Sequence, residues 1–408
     1  MPRRGSAGLG LLAAVVLLGL NLRTAVAGLP PLLDTVRDDL GLSATAAGVL
    51  TALPVLCFGA FAPLVPRIVR RIAVERVISA CALLTAAALA LRGAGGVLAL
   101  FTGTLLAGAT VAIAQGSLPV LIGSAPAAAT GRLTGAFSMA LPLGATLGAA
   151  LAVPLEHALG SWEASLAAWS VLAAVAALAW LPRTERTRVS GPVPAPLRRD
   201  RLAWAVSVYF GIQSMAFYVG LAWMPSILVD SGYSDETAGF LQALSSLVQL
   251  PPAFLVPVLA SRRPGQEPIL IAIVVTSTVP VIGLLVAMGA APLWMVLLGI
   301  GQGGALGLGL ILPVLRGAAP GAVASLTAMT LSVGYLGASV GPWIAGVLHD
   351  VTAGWELTLG FLLAVSLLQI VPGLPASRAG TLANGDSGDP GLAGRQRDRT
   401  APRAERPR

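Results

Sequence analysis

The chain has 408 residues, 56% of them hydrophobic and only 11% charged. Soluble domains carry about 25% charged residues, so this composition excludes a water-soluble enzyme or binding module and points to the bilayer as solvent. The formal charge of +8 rests on arginine, with no lysine, and the arginines lie in short loops and a tail. Nucleic acid is excluded as a partner, because no soluble domain presents them.

The N-terminus has Arg3 and Arg4, an apolar run from Leu9, and Ala25-Val26-Ala27, which mimics a cleavage site. The run continues to Leu33, too long for a signal peptide, and reads as a first spanning helix. Five further helices follow: Ser43–Val65, Val77–Leu91, Val97–Leu118, Leu133–Pro154 and Ala164–Leu181. Residues 182–201 are polar, basic and rich in Pro, and read as a cytoplasmic linker. Six more helices come next: Leu202–Leu228, Thr237–Leu259, Ile269–Met288, Leu293–Leu315, Ala322–Leu348 and Leu357–Ile370. The expected organisation is a six-helix bundle over 1–181, the linker, a second bundle over 202–375, and a disordered tail over 376–408.

Loop charge orients the bundle. One side holds 23 of the 26 arginines, including those of the 67–76 loop, the linker and the Arg262-Arg263 pair. The other holds Arg37 and Arg92 with Asp34, Asp38, Asp39, Asp230, Asp235 and Glu236. The positive-inside rule places both termini in the cytoplasm and the chain in the inner membrane.

The halves repeat. With a shift of 191 residues, 39–53 and 230–244 share eight identities in fifteen positions, including Asp39/Asp230, Gly41/Gly232 and Ser43/Ser234. Pro66 and Arg71 match Pro257 and Arg262. Polar and turn residues match as well as apolar ones, so chance is a weak explanation. The matched segments face the same way, which makes a parallel repeat with solute held between halves near the midplane.

The carrying stretches are Asn21-Leu22-Arg23, Leu40-Gly41-Leu42-Ser43, Leu53-Pro54-Val55-Leu56-Cys57-Phe58-Gly59, 213–218, Trp223-Met224-Pro225, Gly301-Gln302-Gly303 and Val333-Gly334-Tyr335. They resemble the cyanate/nitroimidazole transporter family of the major facilitator superfamily. The resemblance implies an all-α membrane protein of twelve helices in two pseudo-symmetric six-helix bundles. It also implies secondary transport of a small polar or anionic solute. A drug exporter of the same superfamily is the nearest alternative; an integral-membrane enzyme is the alternative of another class.

Arg23, deep in the first helix, is the leading candidate for solute binding. An intramembrane charge is expensive and functional by default, and a guanidinium is a donor fork suited to planar anions. Its competing role is to cap carbonyls or to pair with Asp34. Asn21, Gln115, Gln213, Tyr218, Gln302 and Tyr335 are candidate pocket residues. Interhelical hydrogen bonding or interface anchoring competes for each. Arg67, Arg70 and Arg71 are candidate gating residues. Gly144-x-x-x-Gly148 and Gly337-x-x-x-Gly341 read as close-packing positions.

No Asp or Glu falls in the middle of any span, so no carboxylate proton relay is expected there. His157 and His349 have no second ligand at metal spacing, and no metal or cofactor is expected. Without lysine there is no P-loop and no ATP drive within the chain. The expected partners are the solute and the lipid bilayer, and the expected state is a monomer.

Overall fold

The computed structural model describes residues 4–42, 44–182, 187, 197–352 and 354–382. Among these, twelve helices are long and apolar enough to cross a membrane. They are α1 (Leu9–Leu32), α2 (Val49–Arg71), α3 (Val74–Arg92), α4 (Val97–Gly123), α5 (Ala129–Leu159) and α6 (Trp162–Trp180). The second set is α7 (Arg201–Asp230), α8 (Glu236–Ala260), α9 (Glu267–Val286), α10 (Met288–Arg316), α11 (Pro320–His349) and α12 (Glu356–Ser377). Most of the linker and the tail beyond Leu382 lie outside the described residues.

Several ends differ from the sequence reading, and proline explains most of them. A proline cannot donate to the carbonyl four residues back, which bends a helix, but a membrane helix tolerates the bend when neighbours satisfy the backbone. So α2 does not stop at Val65. It passes through a short 3-10 turn at Ala62–Leu64, beside Pro63 and Pro66, and runs on to Arg71. Likewise α12 passes a break at Gln369, three residues before Pro372, and reaches Ser377. α11 breaks at Ser339, three residues before Pro342, and α8 at Gln249, before Pro251 and Pro252.

The sequence repeat appears as repeated bonds. Trp162 Nε1 donates to Asp39 Oδ2 at 3.0 Å, and Trp355 Nε1 to Asp230 Oδ2 at 2.8 Å. Ser165 Oγ donates to the Ala152 carbonyl at 2.7 Å, and Thr358 Oγ1 to the Ala345 carbonyl at 3.1 Å. At the other end, Val74 N donates to the Thr187 carbonyl and Gln266 N to the Ser377 carbonyl. Each half thus ties the start of its third helix to the chain at or just beyond the end of its sixth.

Among the described residues the halves share an apolar core at one end. A single apolar core runs through both on the arginine-rich face, from Val65, Val120 and Phe137 to Leu310, Val314 and Val323. Toward the acidic face it divides. One core, with Leu32, Leu50 and Leu100, belongs to the first half; another, with Met224, Leu241 and Leu298, belongs to the second. Glycines let the joined ends approach. A Cβ on Gly131 would strike Ser261 and the Pro257 carbonyl, and one on Gly135 the Phe254 carbonyl, bringing α5 onto α8. Ser332 Oγ donates to the Gly59 carbonyl at 3.0 Å, bringing α11 onto α2.

Within the first half, Gly144 seats against the Leu20 carbonyl, and Gly148 lies with a Cβ position 3.0 Å from Thr24 Cα. Gly341 meets Met215 in the same way, but Gly337 faces open space. The close-packing expectation therefore holds at three of the four glycines. Gly144→Leu is expected to destabilise the purified protein by about 1–3 kcal/mol through overpacking. Gly337→Leu should leave the thermal midpoint near wild type. Equal effects in thermal unfolding would contradict this packing.

Candidate functional site

The site lies near the level where the one core becomes two. Arg23 is half-buried on α1, in the first half. Its Nη2 donates to the Tyr335 hydroxyl on α11, in the second half, at 2.8 Å. Gln115 Nε2 on α4 donates to the same hydroxyl at 2.9 Å. Tyr218 on α7 also interacts with the guanidinium.

Aromatic rings enclose the charge. The guanidinium carbon sits 5.4 Å from the centre of the Phe58 ring and 6.0 Å from that of Tyr335. Both are within cation–π range. The Tyr335 ring stacks at a tilt on Phe58, with centroids 5.1 Å apart, and edge-on to Phe210 at 5.5 Å. Phe58, Tyr335 and Gln115 are almost fully buried. Among the described residues no acidic side chain pairs with Arg23. Its charge is met by hydroxyl oxygens and ring faces, and it stays a net cation.

The tyrosine hydroxyl is the shared acceptor. It accepts hydrogen bonds from both Arg23 and Gln115, while its own O–H remains to donate. Gln115 Oε1 is buried without a partner. The cluster therefore offers a guanidinium, a phenol proton and one free amide oxygen beside flat apolar faces. That donor-rich set suits a small, flat, electron-rich solute.

The structure brings together Arg23, Gln115, Tyr218 and Tyr335 from the sequence candidates. Gln213 turns to its neighbour, with Nε2 2.7 Å from Ser214 Oγ, beside Gly309 of α10. Gln302 faces α7 at Gly220, with Nε2 3.1 Å from a Cβ position there. Asn21 points elsewhere: two residues along a helix is a turn of about 200°. Its amide is buried with both polar atoms unpartnered, on the face of α1 that carries Leu18 and Ala25. Arg67, Arg70 and Arg71 are exposed on the last turns of α2, which pack against α11 at the arginine-rich face.

Two residues of the cluster were not among the sequence candidates. Phe58 and Phe210 are phenylalanines in apolar helices, and no sequence signal separates a ring facing a cation from one facing lipid. Arg92, read as a loop residue of the acidic side, is also placed differently. It forms the last residue of α3, buried, with Nη1 2.6 Å from the Ala25 carbonyl. Carbonyls near a helix C-terminus lack partners within the helix and favour a cation, so α3 keeps its arginine inside the bundle.

A family model for the Major Facilitator Superfamily matches residues 11–342. The chain belongs to that superfamily. It is 34% identical over 374 residues to the 2-nitroimidazole transporter of Escherichia coli (strain K12), covering 90% of this chain and 95% of the relative. It is 30% identical over 357 residues to the cyanate transport protein CynX of the same organism, covering 86% and 93%. The solved proton:xylose symporter XylE superposes with a TM-score of 0.73 over 94% of this chain and 99% of its own, at 14% identity. That likeness shows the fold. This major facilitator protein is a multi-pass membrane transporter, not an enzyme.

Tyr335→Phe keeps the ring contacts and removes the shared acceptor. It leaves the buried Gln115 donor unpaired and takes one partner from Arg23, which is expected to cost about 1–3 kcal/mol. Thermal unfolding of the solute-free protein measures it. A midpoint equal to wild type would mean that water takes the place of the hydroxyl.

Proposed function

We propose that this transporter moves a small polar or anionic solute, of the cyanate or nitroimidazole kind, by alternating access. The observation that carries the reading is the half-buried Arg23 guanidinium. It has no acidic partner among the described residues and is bonded across the two halves to Tyr335. A cation in that position attracts an anion or a strong dipole and costs too much to be idle. The relatives named for 2-nitroimidazole and cyanate transport support the same solute class.

In this reading Arg23, Tyr335, Gln115 and Tyr218 contact the solute, and Asn21, Gln213 and Gln302 stand back from it on the helices around the cluster. Arg67, Arg70 and Arg71 act at the arginine-rich end, where the halves meet. The divided core at the acidic face is the open side of the cycle. The solute enters there and displaces the Arg23–Tyr335 bond. Closure of that side and parting of the other deliver it.

Arg23→Ala should lower uptake of labelled cyanate or 2-nitroimidazole by roughly 30-fold or more, the cost of truncating a buried charged partner. Membrane expression should stay near normal. Arg23→Lys should recover little, because an ammonium does not reproduce the planar fork. Normal uptake by Arg23→Ala would remove the site from this position.

The orientation proposed is inner membrane, both termini and the linker cytoplasmic, on the arginine asymmetry. In a background without Cys57 and Cys81, an impermeant thiol reagent added to intact cells should label Ser231→Cys and spare Ser190→Cys. The reverse pattern would invert the topology.

A further inference from the structure

Away from the central cluster, a groove of about 330 Å³ lies between α7 and α12 at the arginine-rich end. Its walls are Val208, Ile212, Leu368, Val371 and Pro372, and Arg201 and Trp204 stand at one end. Val371 and Leu368 are 64% and 50% exposed. The neighbouring face of α7 turns inward with Tyr209 and Phe210, so the groove opens to the surroundings and not to the solute site. In a bilayer those surroundings are hydrocarbon.

Dimension and charge both specify the occupant. From Arg201 to Ile212 the helix rises about 16 Å at 1.5 Å per residue. That is half of a hydrocarbon core of about 30 Å, or one leaflet. Three exposed arginines, Arg198, Arg199 and Arg201, gather at the polar end. Asp200 stands among them, but its Oδ1 accepts from Leu202 N at 2.8 Å and Ala203 N at 3.0 Å, capping α7. Among the described residues no acidic side chain lines the groove. Trp204 donates its Nε1 to the Arg198 carbonyl at 2.9 Å. This ties the short 3-10 turn Leu197–Arg199 to the Trp204 end of the groove, and Trp is the residue that anchors membrane proteins at the interface.

We propose that this groove is a binding site for one anionic phospholipid of the leaflet on the arginine-rich side. An acyl chain lies along Val208, Ile212, Leu368 and Val371, and the phosphate is held by Arg201 with Arg198 and Arg199. Basic pockets between membrane helices recognise anionic head groups in this way. The lipid fills the space left where α12 bends at Gln369, and it braces the helix that carries Phe210 and Tyr218.

The test is native mass spectrometry of delipidated full-length protein titrated with phosphatidylglycerol or phosphatidylcholine, with inorganic phosphate as a further arm. Wild type should retain about one phosphatidylglycerol per chain in preference to phosphatidylcholine. Arg201→Gln should lower that retention by about fivefold, the effect of one arginine near an anionic surface, and Arg198→Gln/Arg199→Gln/Arg201→Gln should abolish the preference. Val208→Trp, which fills the groove, should lower retention of both lipids. Thermal unfolding without lipid checks that each variant is folded; should the triple variant fail, Arg201→Gln alone carries the charge test. Equal retention of the two lipids by wild type would overturn the site. So would unchanged retention by Arg201→Gln, or displacement of the lipid by equimolar inorganic phosphate.

Discussion

The bond between the Arg23 guanidinium and the Tyr335 hydroxyl is the contact around which the molecule is arranged. It joins a charge on the first half to a neutral oxygen on the second. A carboxylate there would neutralise the arginine and make a closed ion pair. A phenol stabilises the cation without cancelling it. The rings of Phe58 and Tyr335 add cation–π attraction, and low local dielectric strengthens polar contacts among the buried groups. The centre of the bundle is left positive, and that is a property of the site rather than of the protein's overall charge.

The position of this contact matters as much as its chemistry. Toward the arginine-rich face the halves share one apolar core; toward the acidic face each has its own. A ligand placed deep in one separate half would change little between conformations. One placed near the junction touches both halves, and its binding free energy can differ between their arrangements. Only such a difference shifts a conformational equilibrium. Proline breaks in α2, α8, α11 and α12 supply bends in several helices that flank the junction, and the Ser339 break lies one turn beyond Tyr335.

Much of this was legible in the sequence, for physical reasons that also set the limit. A membrane helix announces itself by length and hydropathy, and an arginine inside one stands out because its burial is costly. The repeat was readable at Asp39/Asp230 because those aspartates perform the same task, accepting from Trp162 and Trp355. Phe58 and Phe210 were not legible as site residues, since apolar periodicity says nothing about which ring meets a cation. Helix ends failed at Pro66 and Pro372, where a soluble-protein stop signal becomes a bend in the bilayer. Arg92 failed for a related reason: a charge next to a Gly-rich turn looks like a loop, yet its partner is a backbone carbonyl that only the fold brings near.

Hydrogen-bond accounting narrows what the solute has to offer. The Tyr335 oxygen already accepts from two donors, so its remaining capacity is to give its proton. Arg23 has donors beyond the one aimed at Tyr335. Gln115 keeps one unsatisfied acceptor oxygen. A ligand that only donates would meet a single free acceptor and a repelling cation. A ligand that accepts at one edge would satisfy the phenol and the guanidinium together. In the proposed reading, discrimination against cations and against fully apolar molecules follows from groups left unpaired rather than from shape, since unpaired buried polar groups carry the larger free-energy penalty.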